Sequence, residues 1–513
     1  MSNPEVTISL TAPVNKQRDP NRQTPFSLAV LARALGHGFW PCRWSERCAS
    51  TTWDTVAVTT ALPGPSGWEN LRRMREIFSD PASALDRLSQ SYGPICGLGL
   101  PGVRLAVIGG PAVLRELFSQ PADAYRWGHR FNVVGVQFVV GKDSMIVSDG
   151  AEHRRRRGSV QAAFTRRRLD QWAPMIAERA DAMIDELVSR SDLGDRPEDL
   201  TPVVRRLIIG VTVHAFFGES LAERADEIAD LYVGPQHFIE AAAVKQLPHP
   251  LPFTTRARVR RDLRAINAII DGEIAARRAN PSGDPLDILE ALVVDAGMSD
   301  SEIRAQVSTL IGAGYDTTAA ALSWLLWCAA LSPEVWQRVR DEADTVLGST
   351  VGSAHQVDAA SLARLEYTHR TVRESLRLHP AGLIGARVAA RETELGGCRI
   401  RKGTLLVWSP HLAGRNPDHW SEPLRFDPDR FVDATPEQQA LSDLAWIPFG
   451  RGPHMCIGFA LAQMELALVL ARMAQRLDLT PISEQVPHPV GMVVNRPTGG
   501  APFIVSPRPV TAR

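Results

Sequence analysis

Apolar residues recur at helical spacing along most of the chain beyond residue 80. Helices are expected over 81–92, closed by Gly93, over 111–119, opened by Pro111, and over 169–190, 202–217 and 221–231. An arginine-rich helix is expected over 256–279, another over 365–378, and one rich in Ala, Leu and Met over 459–477. Ser299 and Glu302 form a capping box that opens the longest helix, which runs to Ser332-Pro333. Strand-like runs lie at 95–100 and 105–108 across Pro101-Gly102, over 387–410 with Gly396-Gly397 as a hairpin turn, and after 477 as far as Val505. Residues 232–255 are interrupted by Pro235, Pro248, Pro250 and Pro252, so no continuous helix is expected there. Residues 125–147 are apolar and aromatic without a steady period, which suits either core packing or the wall of a pocket. The first 21 residues are polar and contain proline, and are expected to be disordered. Thr24-Pro25 opens a short helix toward Phe39, and Leu62-Pro63-Gly64-Pro65 is a rigid break before the helical region.

Composition narrows the class. The chain has 513 residues, 44% of them hydrophobic and 22% charged, as in an ordinary globular protein. Lys+Arg and Asp+Glu are both 57, and this balance gives no sign of nucleic-acid binding. The six cysteines, Cys42, Cys48, Cys96, Cys328, Cys398 and Cys456, contain no Cys-x-x-Cys pair, which argues against a disulfide scaffold or a zinc site and fits a reducing compartment. No apolar run is long enough to span a bilayer. A soluble, cytoplasmic protein is expected, with peripheral membrane contact through the N-terminal helix left open.

Candidate chemistry concentrates in Phe449-Gly450-Arg451-Gly452-Pro453-His454-Met455-Cys456-Ile457-Gly458. The loop delivers Cys456 to a helix N-terminus, where free N–H groups and the helix dipole favour a thiolate. Its glycines allow positive φ and close approach to a flat partner. A lone Cys-x-Gly would more often be a buried structural cysteine; the full Phe-x-x-Gly-x-x-x-Cys-x-Gly pattern is far more specific. Elsewhere, His153 and Arg157 share one helical face. Ala313-Gly314-Tyr315-Asp316-Thr317-Thr318 places an acid and two hydroxyls inside an apolar helix, and Glu374 and Arg377 form an (i, i+3) pair.

In this order the motifs resemble those of the cytochrome P-450 family, of the soluble bacterial type, over roughly residues 62–510. The resemblance implies the cytochrome P-450 fold: mainly helical with a small β-rich lobe, as one catalytic domain over 62–513 after an N-terminal extension of residues 1–61. It implies haem b bound through Cys456, with Phe449 packed beside the thiolate and Gly458 completing the loop. His153, Arg157, Arg387 and His454 would face the haem propionates. Glu374, Arg377 and Arg430 would form a structural network behind the haem. Asp316 and Thr317 would organise proton delivery to dioxygen.

The implied activity is a haem-thiolate monooxygenase that hydroxylates or epoxidises an apolar small molecule. No flavin or iron–sulfur module follows Cys456, so electrons would come from a ferredoxin and ferredoxin reductase, ultimately from NAD(P)H. The cluster Arg154, Arg155, Arg156, Arg166, Arg167 and Arg168 would in part attract that acidic partner. A peroxygenase, isomerase or dehydratase, and a non-catalytic haem sensor, remain alternatives; the acid–threonine pair leans against them. The substrate pocket would be walled by residues 125–147, 232–255, 310–318 and 380–388.

Overall fold

Capping residues and prolines set the helix starts, and glycines set several of the stops. The computed structural model describes residues 61–508, apart from 101–102, 128–133, 163, 191–195, 242–245, 247–248, 250, 282–286, 296, 349–356 and 433–434. The expected disorder over 1–21 and the helix at Thr24-Pro25 lie outside the described residues. The chain opens with helices α1 (Gly67–Ser79) and α2 (Pro81–Tyr92), strands β1 (Ile95–Leu100) and β2 (Val103–Ile108), helix α3 (Pro111–Ser119), β3 (Tyr125–Arg126) and α4 (Val134–Val140). It continues with α5 (Gly150–Gln161), α6 (Arg166–Val188), β4 (Glu198–Asp199), α7 (Leu200–Ala222), α8 (Ala225–Glu240), α9 (Thr255–Ala279) and α10 (Ile288–Val294). Then come α11 (Asp300–Ala330), α12 (Pro333–Leu347), α13 (Ala359–Ala363), α14 (Glu366–Leu378), and strands β5 (Gly385–Ala389), β6 (Thr393–Leu395), β7 (Cys398–Ile400) and β8 (Leu405–Trp408). Helices α15 (Pro410–Gly414), α16 (Pro436–Ala445) and α17 (Phe459–Arg476) precede β9 (Leu477–Pro481), β10 (Pro489–Val490), β11 (Arg496–Pro497) and β12 (Pro502–Pro507).

The chain is therefore mainly helical with small sheets, as expected. The largest sheet has the order β1-β2-β8-β5-β3, with β2 parallel to β8 and the other neighbours antiparallel. Gly396 (φ 55°) and Gly397 (φ 71°) make the two-residue turn between β6 and β7, a geometry that needs left-handed residues at both positions.

Helix α11 is the axis of the core. Ser299 caps it and Glu302 returns the bond to the cap, so the box read from sequence is formed. Its 31 residues span about 46 Å. It packs against α7, α14 and α17, and Leu322, Trp324, Leu326 and Trp327 are almost wholly buried. Each buried leucine of this kind stabilises the fold by about 2 kcal/mol. At Gly314 the partner helix comes close: a Cβ there would lie 3.1 Å from the methyl of Thr212 on α7.

Two expectations need correcting. The helix expected over 202–217 forms from Leu200 and breaks at Gly218 (φ 73°), but the one expected over 221–231 begins only at Ala225, after a short helical turn that ends at Ala222. That helix continues through Pro235 to Glu240, although the prolines argued against a helix there. Burial of Tyr232 and Phe238, with the Tyr232 hydroxyl donating to the Ser308 carbonyl at 3.2 Å, outweighs the lost backbone bond. Helices α1, α4, α10, α12, α13, α15 and α16 were not anticipated from the sequence.

Candidate active site

The cysteine loop closes on itself. The Gly450 N–H donates to the Ile447 carbonyl at 3.0 Å, the Met455 N–H to Gly452 at 3.0 Å, and the Cys456 N–H to Phe449 at 2.8 Å. Gly450 (φ 71°) and Gly452 (φ 78°) hold left-handed backbone that other residues rarely adopt. The loop lies against Trp408 and Arg387: a Cβ on Gly450 would sit 3.2 Å from the Trp408 ring, and one on Gly452 3.4 Å from the Arg387 guanidinium. Phe449 meets Trp446 and Phe459 edge-on at 5.9 and 6.3 Å, and the Trp446 indole donates to the Arg373 carbonyl at 3.0 Å, tying the loop to α14.

Cys456 stands two residues before Gly458, the N-cap of α17. Among the described cysteines, Cys96, Cys328 and Cys398 are buried, and Cys456 alone is exposed. It opens on a cavity of ≈ 530 Å³ that His153, Arg157, Phe164, Gly452 and Phe459 also line. Burial by the surrounding protein pushes its thiol above the ordinary value. The Gly458 N–H and Arg157 pull the other way, as the helix-terminus argument anticipated, but do not outweigh burial.

Cationic and ring donors gather beside the loop. The His454 ring is sandwiched, stacked on His153 at 3.8 Å and on Trp127 at 4.8 Å between centroids. Burial, then His153, Arg387 and Arg157, pull the His454 imidazole down to about 3. Burial also lowers His153, reinforced by Arg157. Arg387 is buried on β5, donates to the Arg451 carbonyl at 2.8 Å, and lies 4.9 Å from the centre of the Phe118 ring. Burial brings its guanidinium down to about 10. Its Nε and the hydroxyl of nearby Tyr125 are buried without a partner. Among the described residues no carboxylate pairs with Arg157 or Arg387.

The acid and the threonine diverge. Asp316 is 1% exposed, its Oδ2 accepting from Arg496 and its Oδ1 lying 3.5 Å from Arg205 on α7. Thr317 is partly exposed and donates to the carbonyl of Ala313 at 2.7 Å. Ala313 is exposed at the middle of a helix that is buried almost everywhere beyond it, so Ala313 and Thr317, four residues apart, share one open face.

The structure brings Glu374, Arg377 and Arg430 together. Glu374 is fully buried and receives Arg377 through two bonds of 2.8 Å and Arg430 through one of 2.8 Å. The Asp427 N–H adds a fourth at 2.9 Å. Both arginines bond onward to backbone carbonyls, Arg377 to Pro423 at 2.6 Å and Arg430 to Ser421 at 2.9 Å.

Part of the expected cationic cluster is spent internally. Arg155 pairs with Glu152 at 2.9 Å and with Glu302, Arg156 with Glu302 at 3.1 Å and Asp143 at 3.3 Å, and Arg168 donates to the Asp287 carbonyl at 3.3 Å. Arg154, at the rim of the cavity, and the exposed Arg166 and Arg167 remain outward.

Sequence reading missed Trp127, although it lies in the aromatic stretch read as a pocket wall, and it missed Arg205 and Arg496. No local signal marks those two arginines, which reach Asp316 from α7 and β11.

A family model described as Cytochrome P450 matches residues 63–500. A Mycobacterium bovis chain described as cytochrome P450 139 is 31% identical over 407 residues, covering 77% of this chain and 90% of the relative. Two proteins of Streptomyces melanosporofaciens are also similar. Cyclooctatin synthase is 33% identical, and cyclooctat-9-en-7-ol 5-monooxygenase 31%; each match covers 66% of this chain and 73% of the relative. Among solved structures, a retinoic acid-bound cyanobacterial CYP120A1 superposes with a TM-score of 0.76 at 24% identity, covering 88% of this chain and 99% of that one.

Proposed function

This chain belongs to the cytochrome P450 family, and from that premise we propose that Cys456 would hold its haem through the thiolate and that an apolar isoprenoid is its substrate. The chain is a P450 monooxygenase, an oxidoreductase that uses haem and dioxygen. The observation that carries the ligand assignment is the position of Cys456, the one exposed cysteine among those described, at the end of a closed loop on a cavity shared with His153 and Arg157.

The residues present fit a haem. His153, Arg157, Arg387 and His454 lie beside the loop, and no described carboxylate neutralises Arg157 or Arg387. That donor set suits the two propionates of iron protoporphyrin IX. The left-handed glycines keep the loop free of Cβ atoms where Trp408 and Arg387 pack against it. No Cys-x-x-Cys-His attachment exists in the sequence, so the proposed haem is the non-covalent b type. When bound, the haem supplies dioxygen activation, and its thiolate ligand favours O–O cleavage.

The chain's own residues do the remaining work. Phe449, packed between Trp446 and Phe459, shields the sulfur from water. Glu374, Arg377 and Arg430 hold the segments behind the loop in register. Thr317 presents its hydroxyl to the open face of α11, and Asp316, beneath it, relays protons from the side of Arg205 and Arg496. A substrate held over that face is hydroxylated or epoxidised. The isoprenoid reading is supported by the names of the cyclooctatin relatives and by the retinoic acid of the solved relative.

Electrons come from a ferredoxin and its reductase, with NAD(P)H as the ultimate donor, and Arg154, Arg166 and Arg167 attract the acidic partner. Reversing these three charges slows reduction and removes its dependence on salt. Equal rates at low and high salt in the unmodified protein would contradict this docking. The protein is proposed to be cytoplasmic. Its one described helix that is long and apolar enough to cross a membrane, α7, is 67% buried within the fold.

The test is reconstitution with NAD(P)H, ferredoxin reductase and ferredoxin, using a panel of terpenoid ligands first screened by the haem spin-state shift. Oxygenated product that requires NAD(P)H is expected. Product formed only with added hydrogen peroxide, or no spin shift with any apolar ligand, would overturn the reading.

A further inference from the structure

Away from the cysteine loop the fold holds a further buried cation without an anion. Arg256, in the first turn of α9, is 8% exposed, and among the described residues no carboxylate pairs with it. Its Nη1 donates to the Gln246 carbonyl at 2.8 Å, while its Nε is buried without a partner. The Nε–Nη2 edge is therefore unspent, and such an edge grips a carboxylate through two parallel bonds. The guanidinium lies over the Phe138 ring of α4 at 3.7 Å and 5.7 Å from the centre of the Phe238 ring, near the end of α8. Aromatic faces offset part of the cost of burying a charge, but they leave its in-plane N–H groups unmet. Burial lowers the guanidinium, Arg260 adds to that, and no acid opposes them.

The helix terminus points the same way. Arg256, Arg258, Arg260 and Arg261 crowd the first two turns of α9, and its first turn holds no acid. Cations there oppose the helix dipole, whereas an anion is favoured. Arg258 and Arg261 are exposed, so Arg256 is the inward member of the group. The neighbouring segment is secured independently of the free edge. The Gln246 side-chain amide donates to the carbonyls of Phe238, Ile239 and Ala241 at 3.1, 2.8 and 2.8 Å, which closes the end of α8.

Phe138, Phe238 and Gln246 belong to the stretches 125–147 and 232–255 read as walls of the substrate pocket. Two residues before Phe238, Gln236 donates to the Gly312 carbonyl, beside Ala313 on the open face of α11. The unspent edge and that face are thus joined by the last turn of α8. We infer that Arg256 binds the carboxylate of the substrate, an isoprenoid acid held by its charged end at the start of α9 with its remote end over Ala313 and Thr317. The inference deepens the isoprenoid reading and rests on it for the apolar body of the ligand. One buried guanidinium balances one negative charge, which a carboxylate supplies and a phosphate monoester, at about −1.5 to −2, exceeds. With the acid end pinned, oxygen enters the far half of the chain: R–H + O₂ + NAD(P)H + H⁺ → R–OH + NAD(P)⁺ + H₂O.

The test titrates the haem-loaded protein with farnesoic acid, farnesol and farnesyl phosphate, read by the haem spin-state shift. The acid is expected to bind about tenfold tighter than the alcohol, or more. Arg256→Gln is expected to weaken the acid by about tenfold or more and the alcohol by less than about twofold. Arg256→Lys keeps the charge but lacks the fork, and is expected to recover only part of the acid's affinity. An Arg256 that merely latches α9 to Phe138 predicts equal weakening of acid and alcohol in Arg256→Gln, and no preference for the acid in the unmodified protein. Either result would overturn the inference, as would tighter binding of the phosphate than of the acid, or a product of farnesoic acid oxygenated beside the carboxylate. Dodecanoate and dodecanol, compared by calorimetry, separate the two levels. If no farnesyl compound shifts the spin state while dodecanoate outbinds dodecanol only with Arg256 present, the isoprenoid reading alone fails. If neither acid outbinds its alcohol, the carboxylate site fails.

Discussion

Asp316 and Thr317 show how far single residues could be read in advance. Adjacent helical residues point about 100° apart, so the two were never able to face one target. The structure has the acid buried against Arg205 and Arg496 and the hydroxyl on the open face with Ala313. Their divergence was legible in the sequence; the partners of Asp316 were not, because Arg496 is 180 positions away and its register depends on the whole fold. The same holds for the ring stack on His454, where His153 was expected nearby and Trp127 was not. Thr317→Ala should retain haem and ligand binding while diverting reducing equivalents to peroxide, lowering product per NAD(P)H several-fold because the distal proton path is broken. Product and peroxide quantified together check this, and unchanged coupling would withdraw the role given to Thr317.

At the scale of elements, caps and turn residues were the reliable guides. The Ser299–Glu302 box, Gly93 after α2 and the Gly396-Gly397 turn all formed where the residue chemistry requires. Pro235 misled because local propensity carries less weight than the burial of Tyr232 and Phe238 around it. Helix α12 begins directly on Pro333, which serves at once as the stop of α11 and as the first residue of the next helix, so the same residue reads from sequence only as a terminator. The (i, i+3) pair on α14 carried little meaning by itself. Its weight comes from Arg430 and Asp427 arriving from another segment to complete four bonds on one buried carboxylate. Removing that charge leaves two guanidinia facing each other without an anion. Glu374→Gln should therefore cost about 3–5 kcal/mol of stability, read from denaturant midpoints at equal slope. A loss below about 1 kcal/mol, the range of an exposed pair, would show that the network is not what holds this region.

Across the whole molecule, formal charges balance, yet buried histidines give the fold a direction of pH sensitivity. His379 is stacked on Trp324 at 4.2 Å, with its Nδ1 buried and unpartnered, and burial, then Arg415, His411 and Arg377, hold its imidazole well below the usual value. His411, between Asp86 at 3.0 Å and Arg415, is lowered chiefly by burial. Both are held below the ordinary value in the fold, so unfolding favours their protonation. Their contribution is complete above the unfolded value of about 6.5 and is lost as the pH falls below it. The melting temperature should thus drop between about pH 7 and pH 5, and His379→Phe, which keeps the stack and removes the titration, should flatten that drop. An equal slope in the variant would assign the acid sensitivity elsewhere. The central claim, that Cys456 is the ligand through which this family's haem is held, is tested most directly by the spectrum of the reduced carbon monoxide complex. The unmodified protein should show the strongly red-shifted Soret band of a thiolate ligand, and Cys456→Ser should lose it. Retention of that band in the Cys456→Ser protein would contradict the account.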